Sequence, residues 1–331
     1  MSKPTVLIAL AVFAVLTLVV SPFIGMERIP LDTVLNPQEG DIDTTIFWQI
    51  RVPRVLTAFL AGAALALSGM AFQAIFRNPL ATPFTLGVAS GASLGASIAL
   101  RFGLTFTVLG ISATSLAAYI GATLAIALVY GLTQMRRGFS TATMLLAGVA
   151  VSFFFSSLIL FVQYTSEFYN SFRLLRWLMG GLGHVGYDSV LNLLPFTVAG
   201  LALLLYVTHE LNLITTGDDI ATSRGVDVKR TKRLIFFTTS LMVGGVVAVC
   251  GPIGFIGMMA PHIARLLIGA NHRHLAPATC LFGGAFLVLC DTFARTILAP
   301  AELPVGVVTA FLGGPFFIWL LVSGTAQKNL A

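Results

Sequence analysis

Four charged residues stand where an apolar chain tolerates charge least. Arg51 and Arg54, in "WQIRVPR", lie three residues apart at the front edge of an apolar run that continues to Phe76. Asp291 is the one acid deep inside a predicted membrane helix, and Arg295 follows it by four residues. An unpaired charge at mid-bilayer costs roughly 2.5–3.5 kcal/mol on insertion scales. A spacing of four puts two side chains on one helix face, so Asp291 and Arg295 read as an internal ion pair that holds Arg295. A proton relay is the other chemistry open to such an acid, but it needs a second buried carboxylate, and the spans offer none.

Other reactive patterns are missing. There is no HExxH, no GxSxG elbow and no Ser/His/Asp cluster at useful depth, so the chain does not read as an enzyme. His262, in "MMAPHIARLL", stands alone at a helix break. It suits a bond to a freed backbone carbonyl, or catalysis. His184, His272 and His274 fall in predicted loops and read as solvated. No Gly-x4-Gly-Lys-Ser/Thr occurs and no lysine follows a glycine, so any ATP-driven work needs a partner. Cys250, Cys280 and Cys290 all lie in apolar runs without ligand spacing; they read as small buried hydrophobes. No metal or cofactor is expected.

The elements that must position these charges are membrane helices. The chain has 331 residues, 57% hydrophobic and 10% charged. A soluble domain carries about 25% charged residues. The composition implies an all-α polytopic membrane protein forming a single transmembrane domain over residues 1–331. Apolar runs near 5–24, 53–76, 84–101, 105–132, 142–164, 189–207, 234–250, 255–269, 277–298 and 305–323 give about ten spans. The net charge of +6 comes with no basic stripe or aromatic platform, which argues against nucleic acid and for contact with anionic lipid. With both termini cytoplasmic, most lysines and arginines fall inside, among them Arg77, Arg136, Arg137, Lys232 and Lys328. Most acids fall outside, including Glu27, Glu39, Asp41, Asp43 and Glu302. Arg51, Arg54 and Arg295 then face outward, against the bias. Snorkelling or pairing with Asp41 and Asp43 is the plain account of the first two.

The longest polar cytoplasmic segment is residues 209–233, "HELNLITTGDDIATSRGVDVKRTKR". Thr216 or Gly217 can cap a short helix there. Asp218 and Asp219 fall in its first turn, where the helix dipole favours acids. Gly225 is placed to end it in a left-handed conformation. A second short basic stretch then leads into the seventh span. With Ile220, Ala221, Arg224 and Val226 nearby, the segment reads as a docking surface or as a solvated loop. Gly87, Gly91 and Gly95 suit close helix packing, inside one chain before a dimer contact. "RNPLATP" and "STAT" read as helix breaks and caps that can also narrow a pathway. Gly69 precedes Pro79 by ten residues, as Gly251 precedes Pro261, a slight hint of inverted repeats.

In combination, "WQIRVPR", "GAALALSG", "FRNPLATPFTLGVASGA", "STATMLLAGVA", "WLMGGL", "GPIGFIGMMAPHIARLL" and "AELPVGVVTAFLGGPFFIWLL" resemble the permease subunits of type II ABC importers, the iron-siderophore, haem and cobalamin permease family. The resemblance covers nearly the whole chain. It implies ten spans, a paired second permease copy, a cytoplasmic ABC ATPase dimer and a periplasmic or lipid-anchored substrate-binding protein. It also implies docking of that binding protein on Arg51, Arg54 and Arg295. ATPase coupling falls through Asp218, Asp219, Ile220, Ala221, Arg224 and Gly225. A cytoplasmic gate falls at Asn78, Leu80, Thr141 and Ala142, with Ala142 departing from the family's hydroxyl residue. The implied location is the bacterial or archaeal cell membrane, the inner membrane where there are two.

An iron chelate, siderophore or haem, is the expected cargo, with cobalamin or an oxyanion as the alternative. No ring of tyrosines or histidines marks haem, and no basic ring in the spans marks an anion. An ion-coupled secondary transporter is the reading from another class, and only Asp291 favours it.

Overall fold

A computed structural model of the chain describes residues 2–37, 40–108, 110–135, 141–183 and 186–322. Glu39, Arg136, Arg137, Ser140, His184 and Lys328, all used in the sequence reading, lie outside the described residues, as does the side chain of Thr141.

In chain order the helices are α1 (Lys3–Val20), α2 (Leu31–Leu35), α3 (Ile42–Thr45), α4 (Val52–Phe76), α5 (Val88–Arg101), α6 (Ala113–Met135), α7 (Thr141–Tyr164), α8 (Phe168–Leu178), α9 (Tyr187–Tyr206), α10 (Thr208–Thr216), α11 (Asp218–Ser223), α12 (Val228–Cys250), α13 (Ile256–Ile268), α14 (His272–Thr296) and α15 (Val305–Val322). A π-turn, Ile46–Arg51, runs straight into α4. Two two-residue strands, β1 (Thr107–Val108) and β2 (Ile111–Ser112), pair antiparallel ahead of α6. Among the described residues, seven helical stretches are long and apolar enough to cross a membrane, built on α1, α4, α6, α7, α9, α12 and α14.

α4 is the axis of the bundle. From Ala61 to Phe76 every residue is buried, and α14, α13, α9 and α12 surround it. Such burial needs thin helices, because lipid gives helices no hydrophobic reason to associate and close van der Waals contact must do so instead. Hence "AGAALALSGMA" is nearly all small residues. A Cβ on Gly69 would overlap the carbonyl of Gly257 on α13, and one on Gly62 the carbonyl of Gly283 on α14. The repeat in α5 works the same way: Gly91 and Gly95 admit the Gly121 and Ala117 carbonyls of α6. The packing is within one chain.

Two expectations are corrected here. The fourth apolar run begins with the β1–β2 turn, so its helix starts at Ala113, not near 105. The basic stretch before the seventh span is no separate helix; Val228–Arg233 are the first turns of α12, capped by the Asp227 carboxylate on the Arg230 N–H at 3.0 Å.

Between α12 and α13 the chain unwinds over residues 251–255. Gly251 and Phe255 both have positive φ, +68° each. For a bulky residue this is an outlier that its surroundings must enforce. The enforcement is visible: the Phe255 ring lies against Gly313 on α15, where no side chain would fit.

Candidate functional site

At the start of α4 the charges gather. Pro53 at the second helical position suits the helix start. Arg54, one helical residue further, points across to α14. Its Nε donates to both Asp291 oxygens at 3.1 and 2.9 Å, and its Nη2 donates to Oδ1 at 2.9 Å. Its Nη1 donates to both Glu302 oxygens at 3.1 and 2.9 Å. One guanidinium thus bridges two carboxylates in the fork geometry that arginine favours. Arg51 caps two carbonyls instead, Pro22 at 3.1 Å and Glu27 at 2.6 Å. Arg295 Nη2 donates to the Ser21 carbonyl, and its Nε lies 3.9 Å from Asp291.

The sequence reading paired Asp291 with Arg295 alone. In the structure that pair is the looser one, and Arg54 is the nearer partner of Asp291. The reason is geometric: α4 brings Arg54 head-on to Asp291, whereas the Arg295 guanidinium is drawn to the Ser21 carbonyl. The reading also placed Arg51, Arg54 and Arg295 outward, the first two snorkelling or paired with Asp41 and Asp43. They are only 6%, 7% and 7% exposed, each held by this chain's own oxygens. Pairing of Arg51 with Asp41 or Asp43 gives way to the two carbonyls, and Asp41 caps α3 instead. Glu302 is the residue that the sequence reading placed outside and gave no role. Its side chain is 42% exposed, the one carboxylate of the network that meets solvent.

Beside this network lies a cleft of about 400 Å³ between α8 and the Glu302–Pro304 loop. Its floor is tied down by backbone: Gly181 N–H donates to Cys250 O at 2.8 Å, and Gly306 N–H to Gly180 O at 3.2 Å.

At the far end of α4, roughly 37 Å away at 1.5 Å per residue, the chain turns sharply. Arg77 ends the helix in a left-handed conformation, φ +48°. Asn78 follows, its side-chain oxygen accepting the Leu80 N–H at 2.9 Å in a local turn. Leu80 is exposed. Thr141 and Ala142 begin α7. No hydrogen bond among the described side chains joins these two pairs.

α11 stands at the same end. Gly217 precedes it, Asp218 and Asp219 occupy its first turn, and Gly225 follows it at φ +85°. Ala221 is buried with Leu213, Ile214 and Val226 in a small separate core, while Ile220 is half exposed and Arg224 exposed. Asp218 links three elements. Lys232 of α12, its side chain 4% exposed, donates to Asp218 at 2.7 Å, and Arg77 at the end of α4 lies 3.4 Å away. Neither partner was singled out from sequence, where both passed as cytoplasmic positive charge. α10 is anchored as well: Asn212 Oδ1 accepts from the His272 N–H at 2.9 Å and sits 2.8 Å from its ring Nδ1. His272 is therefore buried at the head of α14, not solvated. His262 packs edge-on to Phe316, and its Nε2 has no hydrogen-bond partner among the described residues, so the expected carbonyl bond is not made from that atom.

A bundle of apolar helices, with a charged network at one end of its axis and a short acidic helix at the other, defines a polytopic membrane protein. The chain belongs to the FecCD transport family, whose pattern it matches over residues 11–323, and it is an ABC-importer permease. It is 36% identical to the hemin transport system permease protein HmuU of Yersinia pestis, over 92% of this chain and 91% of that one. It is 40% identical to the vitamin B12 import system permease protein BtuC of Klebsiella pneumoniae, over 96% and 93%. A relative in Bacillus subtilis, the uncharacterized ABC transporter permease protein YvrB, is 42% identical over 84% and 79%. A solved inward-facing structure assigned to the metal-chelate type of ABC transporter superposes with TM-score 0.86 at 33% identity, covering 97% of this chain and 99% of that one. PsaBC of Streptococcus pneumoniae shares the fold at TM-score 0.55 and 14% identity.

Proposed function

We propose that this permease carries an iron chelate, siderophore or haem, across the cell membrane. The observation that carries the reading is the likeness, over 97% of the chain, to a transporter assigned to the metal-chelate type. The haem permease relative, matched over 92% of the chain, supports it. A second reading, cobalamin, is favoured by the 40% identity to a vitamin B12 permease.

The seven long helices together with α5, α13 and α15 make ten spans, and the basic segments around α11 and α12 put both termini in the cytoplasm. Two copies of the permease enclose the pathway. A cytoplasmic ATPase dimer engages α11, and an external binding protein delivers cargo at the Arg54 end. Because Arg54 is already matched by Asp291 and Glu302, an acidic group of that binding protein docks by exchanging with the half-exposed Glu302. ATP-driven movement of α11 reaches the turn at Asn78 and Leu80 through Asp218 and Arg77, and the start of α7 at Thr141 and Ala142 yields with it.

Proteoliposomes holding the permease, its ATPase and its binding protein test this. ATP-dependent uptake of radioactive iron as haem or a ferric siderophore, without uptake of cobalamin, is the expected result. Uptake of cobalamin alone moves the assignment to the second reading. Uptake driven by an ion gradient without the ATPase removes the ABC mechanism.

A further inference from the structure

The α8 cleft has a chemistry that transport as such does not explain. Its volume, about 400 Å³, lies within the range of small-molecule pockets, roughly 300–1,000 Å³. One stripe of α8 faces it. Tyr169, Arg173, Arg176 and Trp177 line the cleft and follow one another at intervals of four, three and one, a single helical face. Leu174, off that stripe, is buried, so packing of the helix fixes which face looks inward. Arg54 and Glu302 form the opposing wall.

The charges in this space do not cancel. Arg54 is matched by Asp291 and Glu302. Arg173 and Arg176 are exposed, and among the described residues neither has a carboxylate within ion-pair distance. Arg173 lies over the Tyr169 ring, 5.8 Å from its centre, which orients the guanidinium by a cation–π contact. Two uncommitted arginines in a concave site invite anions, because guanidinium matches carboxylate in a planar fork.

We propose that the α8 cleft binds a small organic anion, a carboxylate-bearing chelate, as it enters the pathway. Arg173 and Arg176 take the carboxylates, and Tyr169 and Trp177 pack against the apolar body. This deepens the iron-chelate reading and rests on it. A concave pocket of this volume fits a small molecule better than a protein surface, so the cargo and not the binding protein is the occupant.

The test uses the full-length permease with its ATPase in lipid nanodiscs. Hemin, which carries two carboxylates, and hemin dimethyl ester, which carries none, are the probes. Binding is followed by the Soret band and by quenching of tryptophan fluorescence. Saturable hemin binding is expected. The Arg173→Ala/Arg176→Ala variant weakens it about ten-fold or more, the scale of one lost charged contact. Arg173→Lys/Arg176→Lys retains most of the affinity, and the ester binds the wild type as weakly as hemin binds the alanine variant. An unchanged gel-filtration profile and thermal midpoint show that the variants are folded. Equal affinity for hemin and its ester, an unchanged Kd in the alanine variant, or no saturable binding overturns the proposal. So does an alanine variant that loses only affinity for the loaded binding protein, which would make that protein the occupant. Vesicle import separates the two readings. Hemin import with arginine-independent binding removes the cleft and leaves the iron-chelate reading. Cobalamin-only import with carboxylate-dependent hemin binding does the reverse.

Discussion

Replacing Asp291 by asparagine isolates the worth of the α4–α14 charge network. The substitution keeps the volume and removes the charge beside Arg54, whose guanidinium is 8% exposed as a side chain. Breaking a buried pair on one side costs about 3–5 kcal/mol. Two features reduce that here. Glu302 stays bound to Arg54, and an ion pair with a partner 42% exposed retains up to about 1 kcal/mol. The asparagine oxygen also still accepts one of the three hydrogen bonds that Asp291 accepts from Arg54. The expected loss is then about 2–3 kcal/mol, roughly 4–12 °C in thermal midpoint at 2–4 °C per kcal/mol. Thermal unfolding of purified Asp291→Asn in detergent, followed by fluorescence-detected gel filtration, measures it. Glu302→Gln serves as the exposed comparison and shifts the midpoint by about 4 °C or less. Adding Arg54→Gln to Asp291→Asn recovers part of the loss, because the orphaned charge is gone. A shift under about 1 °C for Asp291→Asn, or a strictly additive double variant, refutes the network as a source of stability.

Asp218→Asn removes the carboxylate that, among the described residues, alone pairs with buried Lys232, and cuts the link to Arg77. Basal ATP hydrolysis in the reconstituted importer persists, while cargo imported per ATP falls roughly five-fold or more, the lower end of a coupling energy between linked sites. An unaltered ratio rules out that link. Gly69→Ala drives a methyl into the Gly257 carbonyl and lowers thermal stability by about 1–3 kcal/mol. Gly131→Ala, on α6 with nothing within 4 Å of its added carbon, leaves it unchanged or raises it by up to about 1 kcal/mol; equal behaviour of the two variants contradicts the close-contact account of α4.

Much of this architecture is legible in the chain because membrane insertion demands it. A helix surrounded by lipid or by other helices must be apolar along its length, so α1, α4, α7, α9 and α14 stand out within a few residues of their ends. The end of α11 is legible for a local reason: Gly225 stops it within one turn of where it stands, at φ +85°, while the Asp218 carboxylate is taken by Lys232 and Arg77. α8 is not legible that way. It carries Arg173 and Arg176 on one face and Leu174 on the other, so a window average sees neither a span nor a loop. The α12–α13 break shows as Gly251 and Pro252, yet nothing local says that Phe255 takes positive φ, since Gly313 on a distant helix imposes it. The partners of Arg54 were out of reach for the same reason. Asp291 is 237 residues away along the chain, and only the α4–α14 contact makes them neighbours.

That separation bears on how the protein is made. At roughly 5–20 residues per second, the ribosome needs on the order of 10–50 s after Arg54 before Asp291 exists at all. Through that interval the N-terminal end of α4 has neither Asp291 nor Glu302. Arg51 already has the carbonyls of Pro22 and Glu27, but Arg54 must stay near the headgroups, its apolar stem in the bilayer and its charge in water. The arrival of α14 lets Arg54 give up water for a carboxylate, and α4 then settles into the centre of the bundle. A nascent chain stopped before α14 can still pack α4 against α9, α12 and α13, but it leaves Arg54 without either of its carboxylates.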